Sequence, residues 1–516
     1  MPPDSATAPP GARQPDTNRA AIEDRDPRAP HGRAVARLRS LARLTIWQWL
    51  LVVVIAAYAI VMTWNSLQIH HGFGTAPYDL GIFEQGTWLL SRFEEPFVTL
   101  RGVHLFGDHT SFVLLLVVPL YWVAPTTGTL LGIQSVAIAA GAIPVFLYAR
   151  RRLEREWVAL ALAVVYLLHP TVSGANLEHF HPEAFLPVFV GFVLYGALEG
   201  RWRLYWVFVV LTLLVKEDVA LILVPIGLWV ALRRDRRIGV ATMVIGTAYT
   251  LIAFLVLIPL FNGGEGTLYA GRVPFGGPGG FLGTVFTDPG AVVGHLFSGR
   301  RPLYLVQLTF PFAWVFLRRP SIAATGLAVA AINLVSVHPQ QHEIRHHYSA
   351  VIVAILAMGT AYALAAIERR RPWAVATLGA TALTASFLWS ALPFSLDGGT
   401  FGRPEAPQAV AAREALALIP DDAVVAADHA LTAHLSRREL VYFVPNPFYV
   451  SFYGTGDDPP PGTRLPITDR LEWVIMGPPT SWRLPEHVDA WEREKVAFDL
   501  VFTNEYYEVY RMAPEG

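Results

Sequence analysis

The sequence predicts an all-α polytopic membrane bundle with a small C-terminal α/β domain, and three observations lead there. The first is composition: 53% of the 516 residues are hydrophobic and 16% charged, with several apolar stretches long enough to cross a bilayer. The second is the placement of arginine. Arg37, Arg39 and Arg43 precede the first apolar run, and later runs are separated by Arg150, Arg151, Arg152 and Arg155, by Arg201 and Arg203, by Arg233, Arg234, Arg236 and Arg237, by Arg318 and Arg319, and by Arg369, Arg370 and Arg371. Cytoplasmic loops of membrane proteins keep Lys and Arg, so all these clusters are expected on one side. The third is a change of pattern after Phe394, where short alternating helix-like and strand-like segments replace the long runs.

Residues 1–44 are rich in Pro, Ala, Asp and Arg and read as a disordered cytoplasmic tail. The first run begins only near Thr45, so it reads as an uncleaved signal anchor. Residues 45–394 form the membrane domain. Its runs are Thr45 to Ser66, Thr129 to Ala149, Trp157 to Ser173, Glu183 to Leu198, Leu204 to Val215, Val219 to Leu232, Ile238 to Phe261, Leu303 to Leu317, Ile322 to Val337, Ser349 to Ile367 and Trp373 to Phe394. They give about eleven crossings. Phe112 to Val123 is short and reads as re-entrant or interfacial, because counting it as a crossing would invert every later Arg cluster. Arg300 and Arg301 then fall on the outer side, against the pattern of the rest.

This topology puts the amino terminus inside and leaves outer loops at 67–128, 174–182, 262–302 and 338–348. Residues 395–516 form an extracytoplasmic domain, with a helix at Pro407 to Leu418 and strands at Ala423 to Ala427, Leu440 to Val444, Glu472 to Met476, Phe498 to Phe502 and Tyr506 to Arg511. The Gly-rich loop 262–302 reads as a linker or a mobile lid.

Composition excludes whole classes of function. No cysteine is present, which rules out disulfides, thiolate catalysis and Cys-ligated zinc. Nucleic-acid binding has no support in the charge pattern, whose net value of -1 hides segregation by loop. The bilayer is the evident partner.

The expected outer loops concentrate ionisable groups beside membrane-level helices: Asp79 and Glu84 in the first, with His109 further on; Glu178, His181 and Glu183 in the second; and Lys216, Glu217 and Asp218 interrupting an otherwise apolar stretch. Charges at such depth are costly and mark function by default, against the plainer reading of a hydrated polar rim. One motif points elsewhere. His342-Glu343-Ile344-Arg345-His346 is a literal H-E-x-x-H, which on a helix would hold zinc with the Glu as base, as in a zinc protease. Transport of a lipid or solute, as a flippase or transporter, is a further alternative for the same intramembrane charges.

The stretches YDLGIFEQGTW (78–88), GDHTSF (107–112), NLEHFHPEAF (176–185), LLVKEDVAL (213–221) and HYSA (347–350) resemble, in this order, the bacterial predicted membrane proteins of the domain-of-unknown-function 2079 family. The tail AADHALTAHLSRRELVYFVPNP (426–447) looks similar too. That family resembles in turn the GT-C glycosyltransferases, which take sugar from a polyprenyl-phosphate donor at the outer face of the plasma membrane. The resemblance implies that Asp79 is the catalytic carboxylate, removing the proton of an acceptor hydroxyl. Lys216 or Arg345 would answer the lipid phosphate, Glu178, His181 and Glu183 would orient sugar hydroxyls or hold a divalent metal, and Glu84, His109, Glu217, Asp218, His347 and Tyr348 would complete the substrate site. Partial desolvation is expected to raise the Asp79 pKa toward a useful value for a base.

Overall fold

The computed structural model describes residues 44–264, 269–367, 371–396, 402–452, 459–477 and 484–514. The expected amino-terminal tail and part of the 369–371 arginine cluster lie outside these residues. The first helix, Ile46–His71, opens on a reciprocal cap: Thr45 Oγ1 accepts from the Gln48 N–H at 3.4 Å while Gln48 Oε1 accepts from the Thr45 N–H at 3.0 Å. The T-x-x-Q spacing provides this arrangement, satisfying two amide donors that the helix itself cannot.

Five helices among the described residues are long and apolar enough to cross a membrane: Ile46–His71, Thr127–Leu153, Pro182–Glu199, Arg236–Phe261 and His347–Leu364. Glu156–Leu167 and Pro170–Leu177 make a sixth if the pair, bent by 49°, is one span. Trp202–Leu213, Ala220–Arg233 and Ala323–Val335 are shorter apolar helices. The bundle is graded from inside to outside. His347–Leu364 is 89% buried, whereas Ile46–His71 and Arg236–Phe261 are 17% buried and present Ile60, Trp64, Val244, Leu255 and Leu260 outward. Apolar surface of this extent fits contact with lipid tails rather than water.

Small residues let the helices approach. A Cβ built on Gly239 would stand 2.2 Å from the Ala231 backbone nitrogen, so only glycine permits the close packing of Ala220–Arg233 on Arg236–Ile252. Asp235 turns the chain between them, its Oδ1 accepting from the Arg237 and Ile238 N–H groups at 2.9 and 3.0 Å.

Not every apolar run is one helix. Leu303 to Leu317 divides into Arg301–Thr309 and two 3-10 turns, Phe310–Phe312 and Val315–Arg318. Pro311 removes a backbone donor there, and Ala313 and Trp314 adopt left-handed φ of 47° and 52°. Phe112 to Val123 forms a 3-10 turn and a helix of six residues, Val118–Val123, too short to span.

The carboxy-terminal segment builds a five-stranded mixed sheet in the order 441–443, 425–427, 473–476, 508–512, 498–503. Val425–Ala427 runs parallel to both neighbours, and Phe498–Thr503 with Glu508–Met512 forms an antiparallel hairpin. Side chains alternate as a pleat requires. Val424, Ala426, Tyr442, Val474 and Tyr510 face one core with Trp491. Val425, Ala427, Val441, Ile475 and Val509 face another, shared with Leu80, Ile82, Leu100 and Leu105. One face of the sheet therefore packs within the carboxy-terminal segment and the other against the first loop. The edge strand Val441–Phe443 is closed by loop 67–128, where Thr99 Oγ1 donates to the Val441 carbonyl at 2.6 Å and accepts its N–H at 3.1 Å.

Candidate functional site

Three segments distant in sequence meet at one end of the bundle. Gln134, on the span Thr127–Leu153, holds the turn after Pro170–Leu177: its Nε2 donates to the Asn176 carbonyl at 2.9 Å and its Oε1 accepts the His181 N–H at 2.8 Å. His179 completes this turn with a left-handed φ of 50°. Gly174 admits the third segment, since a Cβ there would lie 2.6 Å from the Arg345 Cα. The result brings His346 and His347 onto Glu178. Glu178 Oε1 pairs with His346 Nδ1, and Oε2 accepts the His347 N–H at 2.5 Å and lies 3.1 Å from His347 Nδ1.

Asp79 enters from the first loop, its Oδ1 3.5 Å from His181 Nε2. The His181 and His347 rings stack with centroids 3.8 Å apart. Asp79 keeps 40% of its side chain accessible, while His181 keeps 6%. Burial alone would raise the Asp79 pKa as the sequence suggested, but the hydrogen bond and charge of His181 bring it below the ordinary carboxylate value. The expected upward shift is thus corrected: a cationic neighbour outweighs desolvation. Burial lowers the His181 pKa, and Glu178 and Asp79 reverse this and push it up to about 9. Glu178 would be raised by burial, yet the surrounding imidazoles hold it well below its usual range.

His347 also lines a cavity of about 200 Å³. Leu186, Leu221, Ile222, Phe254, Val329 and Val351 form its apolar wall. Its polar side carries Lys216 Nζ, 2.7 Å from Glu183 Oε1, and His109 Nδ1, 2.8 Å from Glu217 Oε1. Asp218 lies there too, its pKa pushed up to about 6 by burial and the neighbouring Glu217 and Glu183 charges. Tyr348 completes that side with Tyr269 and Arg272, which the sequence did not single out. Arg272 donates to Tyr348 Oη at 3.2 Å and lies over the Tyr269 ring at 4.4 Å; Tyr269 stacks on His109 at 4.9 Å and donates to Asp108 at 2.8 Å. Tyr269 and Arg272 of loop 262–302 therefore form part of the cavity wall. Nothing in its Gly-rich sequence marks those two residues.

Two expected site residues stand elsewhere. Arg345 does not line the cavity, and its backbone packs on Gly174. Glu84 is sealed at 1% exposure, accepting from Thr127 at 2.7 Å and Tyr121 at 3.1 Å, with Arg437 of the carboxy-terminal segment 3.6 Å away. It joins packed elements and does not line this cavity, a correction to its expected role in substrate binding. The H-E-x-x-H reading also fails on geometry. Pro339–His342 is a 3-10 turn and Glu343 is extended, so the two histidines do not share a helix face. His429, by contrast, opens the short helix His429–Thr432, which packs against the segment Pro77–Gly81 that carries Asp79 and so brings the AADHAL phrase beside the site.

Glu84 carries a pH prediction. Burial raises its pKa from 4.5 to about 7 against the opposing pull of Thr127, Arg437 and Tyr121. A raised folded-state value means that the stabilisation is complete below pH 4.5 and lost as pH rises through about 7, on the order of 3 kcal/mol in all. Glu84→Gln is expected to flatten the stability profile between these limits and to exceed the wild type at pH 8. Denaturation in detergent at several pH values reads this directly, and parallel profiles would exclude it.

Similarity to known proteins agrees with the fold. Two crystal structures of ArnT from Cupriavidus metallidurans superpose with a TM-score of 0.53 each. The one bound to undecaprenyl phosphate is 15% identical and covers 91% of this chain and 100% of its own; the apo structure is 16% identical and covers 90% and 99%. At this identity the likeness establishes an ArnT-like fold. No curated protein sequence matches significantly. The model of the predicted membrane proteins named DUF2079 matches residues 69–491, from the end of the first helix into the carboxy-terminal segment, and the chain therefore belongs to the DUF2079 family of multi-pass membrane proteins.

Proposed function

We propose that the protein transfers a sugar from a polyprenyl-phosphate carrier to an acceptor hydroxyl at the extracytoplasmic face of the membrane. The observation that carries this reading is the junction at His347, which lines the cavity and stacks on the His181 that meets Asp79. An apolar wall suits a prenyl chain, and the charged side suits its phosphate. The ArnT structure holding undecaprenyl phosphate on the same fold supports the choice of lipid. Asp79, partly exposed and ionised, accepts the hydroxyl proton as the new bond forms at the anomeric carbon. Arg272 answers the departing phosphate with charge-assisted hydrogen bonds. Lys216 is already engaged by Glu183, so it contributes only as that pair opens.

Binding of undecaprenyl phosphate to the protein in nanodiscs, measured by native mass spectrometry, tests the donor half of this reading. Wild type and Asp79→Asn are expected to bind alike, and Arg272→Gln about tenfold more weakly, the scale of one charged hydrogen bond. Failure of the wild type to bind, or equal binding by Arg272→Gln, would remove the lipid phosphate from the proposal.

A further inference from the structure

We propose that Glu178, His181 and His347 form a binding site for one divalent transition-metal ion of the zinc class. One ligand atom from each residue lies within 4.8 Å of the others, and the three side chains are 13%, 6% and 9% exposed. The His181 Nδ1 atom is buried and, among the described residues, has no hydrogen-bond partner. An imidazole nitrogen sealed from water without a partner is unfavourable, and a metal ion supplies what is missing.

The surrounding groups are arranged as supports. His181 Nε2 faces Asp79 at 3.5 Å, and His347 Nε2 faces Glu183 at 3.8 Å. For His181 a carboxylate at one nitrogen is the arrangement that fixes the tautomer and turns the other nitrogen toward a metal, while the Glu183 charge stands near the far nitrogen of His347. The other His347 nitrogen, Nδ1, is the one beside Glu178 Oε2 at 3.1 Å. The second Glu178 oxygen is occupied by His346, which orients the carboxylate.

The donor set selects the ion. Two imidazoles and one carboxylate suit zinc and its neighbours, whereas magnesium and calcium prefer oxygen throughout. Three protein ligands leave a fourth tetrahedral position for an oxygen ligand, as in sites that polarise a substrate or water. Glu178 follows the helix Pro170–Leu177, His181 precedes the span Pro182–Glu199 and His347 opens the span His347–Leu364, so the literal H-E-x-x-H motif is not the site, although it adjoins it in sequence. The inference concerns metal binding and stands whether or not the transferred group is a sugar.

The full-length protein, stripped with a chelator and reloaded with Zn²⁺, is the sample for the test. Elemental analysis should find one zinc per chain. Glu178→Gln, His181→Ala and His347→Ala should each weaken zinc binding by at least about a hundredfold, and Asp79→Asn, a supporting residue here, by about tenfold. His342→Ala should bind as the wild type does. X-ray absorption at the zinc edge of the loaded wild type, which needs no variant to fold, should show two imidazoles and a carboxylate. Reloaded wild type without zinc, zinc retained in folded Glu178→Gln and His181→Ala, or a zinc environment without imidazole would each overturn the proposal. Because zinc content is read without any transfer assay, its loss and the loss of the glycosyltransferase reading are separate results.

Discussion

Asp79→Asn is expected to lower transfer from a lipid-linked sugar by at least about a hundredfold, the usual scale for loss of a general base. The amide keeps the shape of the carboxylate and an oxygen that can accept from His181, but it cannot take a proton from a hydroxyl. Asp79 is 40% exposed and its contact with His181 is long, at 3.5 Å, so the fold does not depend on its charge. Expression and thermal stability should therefore stay near those of the wild type. Donor binding should be unchanged as well, which separates a lost base from a lost binding site. Near-normal turnover by this variant would end the proposed mechanism, whatever the sugar.

The largest effect on stability is expected from Asp108→Ala. Arg101 and Asp108 are 2% and 8% exposed and joined by two hydrogen bonds of 3.2 Å, from Nε and from an Nη atom. Burial would raise the Asp108 pKa, but the Arg101 charge, with help from His109 and Tyr269, holds it below the ordinary value. Removing the carboxylate takes the counter-charge from a buried guanidinium, at a cost of about 3 to 5 kcal/mol. It also takes the acceptor from Tyr269, the residue that stacks on His109 and lies beneath Arg272 in the cavity wall. Arg101→Met together with Asp108→Ala should recover part of the loss, since neither charge then remains. Equilibrium denaturation in a mild detergent measures both. A change below about 1 kcal/mol for Asp108→Ala would show that water reaches the pair.

The sequence announced some of the site and concealed the rest, for different reasons. Lys216, Glu217 and Asp218 stood out because charge inside an apolar run is costly and so conspicuous. Glu178 and His181 stood out by local density of His and Glu, whereas His347 was implied only by the resemblance of its HYSA segment to a known family. Tyr269 and Arg272 gave no signal, because a glycine-rich loop imposes no period and only packing decides which side it covers. Glu84 misled for a related reason: sequence registers an acid near a membrane helix but not whether Thr127, Tyr121 and Arg437 close around it. The H-E-x-x-H match gave spacing without conformation, and Pro339 starts a 3-10 turn where the motif needs an α-helix.

Hydrophobicity by itself determined the membrane class of the chain, because the length of an apolar run is a local property that the bilayer reads directly. The strands of the carboxy-terminal segment were legible for the same reason, since a two-residue alternation is set by the pleat. What only the tertiary structure decided was which of those residues meet. The pairing of Asp79 with His181, of Glu178 with His346 and His347, and of Thr99 with Val441 spans from about a hundred to several hundred residues of chain, as each pair of numbers states. Such contacts depend on close helix approach at Gly174 and on a sheet face shared with the first loop. The Asp79 pKa followed from that assembly too: desolvation was foreseeable from position, but the imidazole that reverses it arrives from another helix end.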